Sequence, residues 1–212
     1  MDLTNLRRSY EQGGLRRDSL DPDPIIQFEH WFKDAEKSDV KDPNAMSLAT
    51  ANKAGEVSLR TVLLKIYDHQ GFVFFTNYES TKARQIAENP NVALLFPWLD
   101  QDRQVKIRGQ ASRISTTESL KYFISRPRGS QLGAWVSQQS SVISSRTLLM
   151  SKLDEIKKRF AHGDISLPEF WGGYRVKPST IEFWQGQPDR LHDRFSYQRQ
   201  QDDSWTISRL AP

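Results

Sequence analysis

Fourteen consecutive residues near the C-terminal end concentrate groups able to do chemistry: Ile181-Glu182-Phe183-Trp184-Gln185-Gly186-Gln187-Pro188-Asp189-Arg190-Leu191-His192-Asp193-Arg194. On a strand, alternate residues share a face, so Arg190, His192 and Arg194 point the same way and can meet an anion together. A surface strand whose arginines pair with acids carries the same pattern. Upstream, Arg60 and Lys65 interrupt a β-branched and aliphatic run, and Tyr122 and Arg126 are four apart, which puts them on one face of a helix. Taken singly, Arg60 or Lys65 reads as an outward-facing surface charge, Trp184 as a core residue, and the Tyr122, Arg126 pair as helix packing. Taken together they are the residue types that bind phosphate monoesters, by guanidinium forks and ammonium groups.

Several other chemistries are excluded. The 212 residues include no cysteine, which removes thiolate nucleophiles, disulfides and sulfur-ligated metals. His30, His69, His162 and His192 lack metal-ligand spacing, so no metal is expected. There is no glycine-rich dinucleotide fingerprint, Walker loop, zinc-protease helix or serine nucleophile elbow. Redox chemistry here needs a borrowed cofactor. The net charge of +4 permits nucleic-acid binding, but 26 acidic residues are interspersed among 30 basic ones without a basic tract. No nucleic-acid partner is expected. The start is polar, and apolar runs such as 92–96 are too short to cross a bilayer, which predicts a cytoplasmic protein with no membrane partner.

The elements that must position these groups are legible in outline. Residues 1–24 read as an arm, with Asp23 as N-cap and Pro24 as first residue of a helix whose buried face is Ile25, Phe28, Trp31, Phe32 and Ala35. Residues 25–212 read as a single domain. From Ala45 the period changes to 2, predicting strands from 45 to 50, over 57–67, 72–76, 92–98 and 104–114, with a turn at 52–55. Ser80 is expected to cap a helix ending before Pro90, and Ser115 with Glu118 to form a capping box. A helix is predicted over 144–160 with Gly163 as its C-cap, then strands over 171–176, 180–185, 195–198 and 205–210. Antiparallel strands with segregated helices give an α+β class, best met by a barrel.

The 181–194 segment resembles the C-terminal signature of the pyridoxamine 5'-phosphate oxidase family. Five further stretches agree with that resemblance: Arg60-Thr61-Val62-Leu63-Leu64-Lys65, Phe74-Phe75-Thr76-Asn77, Leu94-Leu95-Phe96-Pro97-Trp98, 122–131 and Phe170-Trp171-Gly172-Gly173. The resemblance implies an antiparallel split β-barrel with flanking helices, a homodimer, and FMN at the subunit interface. It implies an oxidase that converts pyridoxamine or pyridoxine 5'-phosphate to pyridoxal 5'-phosphate with O2. By resemblance, Arg60, Thr81 and Lys82 hold the FMN phosphate, and Thr61, Val62, Leu63, Leu64, Lys65, Phe75 and Thr76 line the flavin. Gln104, Gln139, Ser140, Trp184 and Arg194 complete that site. The substrate phosphate meets Lys65, Tyr122, Arg126 and Ser130; Arg190 and His192 flank the reacting carbon as the catalytic candidates; and Arg7 and Tyr10 close over the substrate. A flavin reductase would not need the Tyr122, Arg126, Ser130 and Arg190, His192 sets together, and a non-catalytic carrier would release no peroxide.

One position departs from the family pattern: Ser80-Thr81-Lys82 stands where Ser-Arg-Lys is expected, so a threonine hydroxyl and helix amides replace one guanidinium. Thr81→Arg should therefore tighten FMN binding in a fluorescence titration; unchanged affinity would contradict it.

Overall fold

The computed structural model describes residues 1–5, 10 and 13–212. Nine strands form one antiparallel sheet: β1 (Ala45–Ala51), β2 (Val57–Leu63), β3 (Ile66–Asp68), β4 (Gly71–Asn77), β5 (Asn91–Trp98), β6 (Arg103–Arg113), β7 (Trp171–Gln185), β8 (Asp193–Arg199) and β9 (Trp205–Leu210). The order is β2-β1-β5-β6-β7-β4-β3, with β8 on β7 and β9 on β8. The run expected as one strand over 57–67 is two. At the break, the Leu64 N–H donates to the Asn44 carbonyl at 2.8 Å and the Lys65 N–H to the Val73 carbonyl at 2.9 Å. Two consecutive residues thus join opposite ends of the sheet order, which curls the sheet into a barrel.

The two strands expected over 171–176 and 180–185 are instead one, β7, of 15 residues. Its first half pairs with β4 and its second with β8, while β6 follows it throughout. The β6/β7 register shifts between Arg108 and Gly109, a bulge that bends both strands. Glycine is required there, because a Cβ on Gly109 would lie 2.1 Å from the Lys177 carbonyl oxygen.

Helix α1 (Pro24–Lys37) fills the barrel as its periodicity predicts, and the Asp23 carboxylate caps it by accepting from the Ile25 N–H at 2.8 Å. Phe28 is fully buried, with Phe32, Tyr67, Phe72, Phe96 and Trp98 around it at ring-centroid distances of 5.0 to 5.8 Å. Helix α2 (Thr81–Glu88) follows β4. Ser80 precedes it without capping it through its side chain; the hydroxyl donates instead to the Asn77 carbonyl at 2.7 Å.

Helices α3 (Thr116–Ser125), α4 (Arg128–Val136) and α5 (Arg146–Arg159) build a smaller core of Phe123, Leu132, Phe160, Ile165 and Trp171 against the start of β7. The Ser115, Glu118 capping box forms as expected. The expected role of Gly163 does not hold: α5 ends at its C-cap Phe160, and Gly163 makes a later turn at φ 88°. Two apolar surfaces stay open to solvent, Val57, Leu59 and Leu63 along β2, and Val142 and Ile143 with Leu148 and Met150 of α5.

Truncating the barrel plug should cost most where the ring cluster is densest. Phe28→Ala is expected to destabilise the fold by about 3–5 kcal/mol, the usual range for deleting a buried phenylalanine, measured by urea denaturation.

Candidate active site

A cavity of about 910 Å³ opens between β2, the end of β4, the N-terminus of α2, helices α3 and α4, and the start of β7. Among the described residues, Arg60, Lys65, Lys82 and Arg126 line it and no carboxylate does. Four cations around one cavity without a counter-charge repel one another, and an anionic ligand removes that repulsion.

One group of donors gathers at the N-terminus of α2. Lys82 is buried, and its Nζ donates to Gln139 Oε1 at 2.8 Å, Thr76 Oγ1 at 3.1 Å and Ser80 Oγ at 3.3 Å, all neutral acceptors. Burial, with the nearby Arg60 charge as a lesser cause, pushes the Lys82 ammonium down to about 8. Arg60 is similarly placed, its Nη1 donating to Thr50 Oγ1 at 2.6 Å and the Leu48 carbonyl at 3.0 Å, and burial lowers its pKa. The Thr81 N–H donates to Ser140 Oγ at 3.3 Å, which ties the segment after α4 to the helix start. Thr61, Val62 and Leu63 line the adjoining wall. Leu64, expected there too, is not in it: it sits at the break between β2 and β3, and its side chain enters the barrel core.

A second group lies toward α3. Tyr122 lies in the last turn of α3, but Arg126 is the C-cap beyond it with extended backbone (ψ 148°), so the helix face expected from their spacing is not what joins them; both nevertheless line the cavity with Ser130. Tyr122 stacks on Phe75 at 3.9 Å with the rings 22° apart, and burial raises its phenol pKa, which keeps the hydroxyl a donor. The Arg126 guanidinium lies 4.7 Å over the Trp171 ring, and its Nη1 is buried with no hydrogen-bond partner. A buried donor left open beside a cavity is the signature of a ligand acceptor.

The remaining candidates assemble elsewhere. Gln104 and Trp184 are cross-strand partners, Trp184 also faces Arg194, and the three line a cavity of about 280 Å³ with Lys106, Glu182 and Pro212. Glu182 receives Arg194 Nε at 3.0 Å, Arg194 Nη2 at 2.8 Å and Lys106 Nζ at 2.6 Å. Burial alone would raise its carboxyl, but these hydrogen bonds outweigh it and hold the pKa below the ordinary range. His192 lies 4.7 Å from Trp184, and Tyr10 meets both rings edge-on at 5.3 and 5.8 Å. Arg7 lies outside the described residues.

Arg190, His192 and Arg194 do not share a strand face. Pro188–Arg190 is a 3-10 turn, Asp189 and Arg190 have φ of 56° and 63°, and β8 begins only at Asp193. Pro188, with no N–H and a fixed φ, favours the first position of such a turn over a continuing strand. Arg190 is consequently exposed at a bend. Trp171 and Trp184 stand thirteen positions apart on β7, so the two groups of candidates are separated by roughly 40 Å of strand contour at ~3.3 Å per residue.

Sequence reasoning missed Asn77, Pro127, Gly133, Ala134, Ser137 and Trp171 as lining residues. Asn77, Pro127 and Trp171 had a signal, since they fall in the stretches 74–77, 122–131 and 170–173; Gly133, Ala134 and Ser137 lie in or just after α4, which no periodicity announces.

The decisive comparison is with family models. Residues 32–160 match the pyridoxamine 5'-phosphate oxidase model, and residues 171–212 match the pyridoxine 5'-phosphate oxidase C-terminal dimerisation region. The chain belongs to the pyridoxamine 5'-phosphate oxidase family. Among its relatives, the pyridoxine/pyridoxamine 5'-phosphate oxidase of Rippkaea orientalis is 65% identical over 212 residues, covering 100% of both chains. That of Crocosphaera subtropica is 64% identical over 214 residues with the same full coverage. Among solved structures, Burkholderia lata PhzG, in complex with tetrahydrophenazine-1-carboxylic acid, superposes with a TM-score of 0.88 at 29% identity, over 95% of this chain and 99% of that one. A Nostoc punctiforme pyridoxamine 5'-phosphate oxidase-related, FMN-binding protein shares the fold, with a TM-score of 0.72 at 16% identity over 91% and 100% of the two chains. In this member of the oxidase family the segment between the two matched regions is the loop from α5 to β7, where the helical core meets the sheet.

Proposed function

We propose that the chain is an FMN-dependent oxidase that converts pyridoxamine 5'-phosphate or pyridoxine 5'-phosphate to pyridoxal 5'-phosphate, with O2 consumed and H2O2 released. The observation that carries this reading is the cavity with four cations, no carboxylate and two separate groups of donors, which suits two phosphate monoesters. The oxidase relatives, alike over their full length, support the substrate class.

In this reading Arg60, Thr81, Lys82 and Ser140 take the FMN phosphate, and the flavin lies along 61–65 and against Phe75 and Thr76. The open Arg126 Nη1 and the Tyr122 hydroxyl, with Lys65 and Ser130, take the substrate phosphate. FMN, when bound, supplies the two-electron acceptor that O2 reoxidises. The chain's own part is to hold and orient. Phe75 and Tyr122 form a stacked aromatic wall that excludes water. Because the Gln187 N–H donates to His192 Nδ1 at 3.1 Å, the neutral imidazole carries its proton on Nε2 and presents a donor there. His192 in this tautomer orients the substrate, and Arg190 orients the carbon that loses hydrogen or assists proton removal beside it.

Since β7 separates the two groups, we infer that the second group, Gln104, Trp184, Arg190, His192 and Arg194, serves the cavity of a second copy in a homodimer. The exposed apolar residues of β2 beside Arg60 and Thr61 and the matched dimerisation region support this.

Lys82 gives the site a pH dependence. Its ammonium is at about 8 in the unliganded protein, and a phosphate dianion must raise it. The gain in affinity is therefore fully present below about pH 8 and is lost as pH rises above it, with proton uptake on binding. FMN fluorescence titrations should show affinity falling across that range, and Lys82→Met should abolish the trend and cost at least about tenfold in affinity. A flat profile in the unmutated protein would contradict the assignment.

The activity itself is tested by peroxide release on adding pyridoxine 5'-phosphate to the FMN-loaded protein. Arg190→Met should keep FMN yet lose at least about tenfold in kcat, roughly 1.4 kcal/mol of barrier, because a contact made in the transition state shows in kcat. No peroxide from the unmutated protein would refute the oxidase; flavin reduction at the normal rate in the variant would refute the role of Arg190.

A further inference from the structure

Trp171 is the cavity residue to which neither the sequence signature nor the family match gives a task. It is 7% exposed, opens β7, and pairs in register with Asn77. Two aromatic planes line up with its own: Phe75 at 5.4 Å and 13°, Tyr122 at 6.2 Å and 10°, with Phe75 and Tyr122 in contact with each other. The alignment has a backbone cause. Phe75 sits opposite Gly173, where a Cβ would fall 2.9 Å from the Phe75 ring, so the missing side chain lets that ring lean toward Trp171 two residues along the same face.

On the indole lies the Arg126 guanidinium, 4.7 Å from the ring centroid, with no acidic partner among the described residues and a buried Nη1 lacking an acceptor. A carboxylate could hold an arginine as firmly, but it would occupy the N–H groups and neutralise the charge that an anion needs. An aromatic face does neither: the guanidinium is held through its π surface, while its five N–H donors stay in the plane and point outward.

We propose that Trp171 is the positioning residue of the substrate-phosphate site, fixing Arg126 by stacking so that its donors face the cavity with their charge intact. This rests on the assignment of Arg126 to the substrate phosphate. Trp171 touches the phosphate only through Arg126, so its removal matters only while Arg126 is present.

The test is a double-mutant cycle on the FMN-loaded enzyme with pyridoxine 5'-phosphate. Trp171→Leu should raise KM about tenfold while kcat and FMN content stay within about twofold, and Trp171→Phe, which keeps a ring face, should recover most of the loss. In an Arg126→Ala background, Trp171→Leu should add less than about twofold. An equal KM rise in both backgrounds, or an unchanged KM in Trp171→Leu alone, would overturn the proposal and leave Trp171 a core residue. If the leucine variant fails to fold, Trp171→Met carries the same cycle with the same two outcomes. Unchanged KM in Arg126→Ala alone would instead refute the phosphate assignment of Arg126, and the proposal with it.

Discussion

The pairing of β7 with its neighbours is the constraint on which the other features depend. Because β4, β6 and β8 all hydrogen-bond to one 15-residue strand, its bend at the Arg108/Gly109 bulge decides how the two halves of the sheet diverge. Its first residues bring Trp171 and the two following glycines against β4, α3 and the aromatic wall. Its last residues carry Glu182 and Trp184 to the far end and set where β8 must start. The join at Leu64 and Lys65 then closes the barrel around α1. A strand this long cannot shift register by one residue without turning Phe183 and Ile181, both fully buried, toward solvent.

Within that frame the cavity is an arrangement of uncompensated charge. Elsewhere the protein pairs its buried and half-buried cations conventionally: Arg175 with Asp68, Arg194 with Glu182, Arg103 with Asp34. At the cavity the partners are hydroxyls, amides, carbonyls and rings. Lys82 displays the cost most plainly, since desolvation without a counter-ion lowers its pKa. A fold that tolerates such a site carries a locally destabilised region, of the kind that ligand binding relieves.

Much of this was legible in the sequence wherever a local rule and the tertiary structure agree. Asp23 and Pro24 start α1, Ser115 and Glu118 start α3, and the period-2 runs become strands because capping and alternation are decided within a few residues. The cavity-facing set 60–65, Phe75, Thr76, Tyr122 and Arg126 was legible through the family pattern, with Leu64 the exception because the strand breaks there and turns its side chain into the core. Helix α4 was not legible: it carries Gly129 and Gly133, has no side-chain N-cap, and buries only Leu132 and Val136. Nor was the turn at Pro188–Arg190, because Arg-x-His-x-Arg imitates strand alternation while two successive left-handed residues break it. The continuity of β7 across Pro178 also escaped, since a bulge in β7 itself, with Ser179 unpaired between Pro178 and Thr180, accommodates a proline in its middle.

The separation of Trp171 from Trp184 along one strand has a genetic meaning. If each cavity borrows its second wall from another copy, no single chain owns a complete site, and the unit of activity is the pair. A chain damaged at the Lys82 or Arg126 end and a chain damaged at the Arg190 end are each inactive with themselves. Mixed together, they form hybrid pairs in which both lesions fall in one cavity and the other cavity is whole. Two such alleles would complement each other, whereas two lesions at the same end of β7 would not.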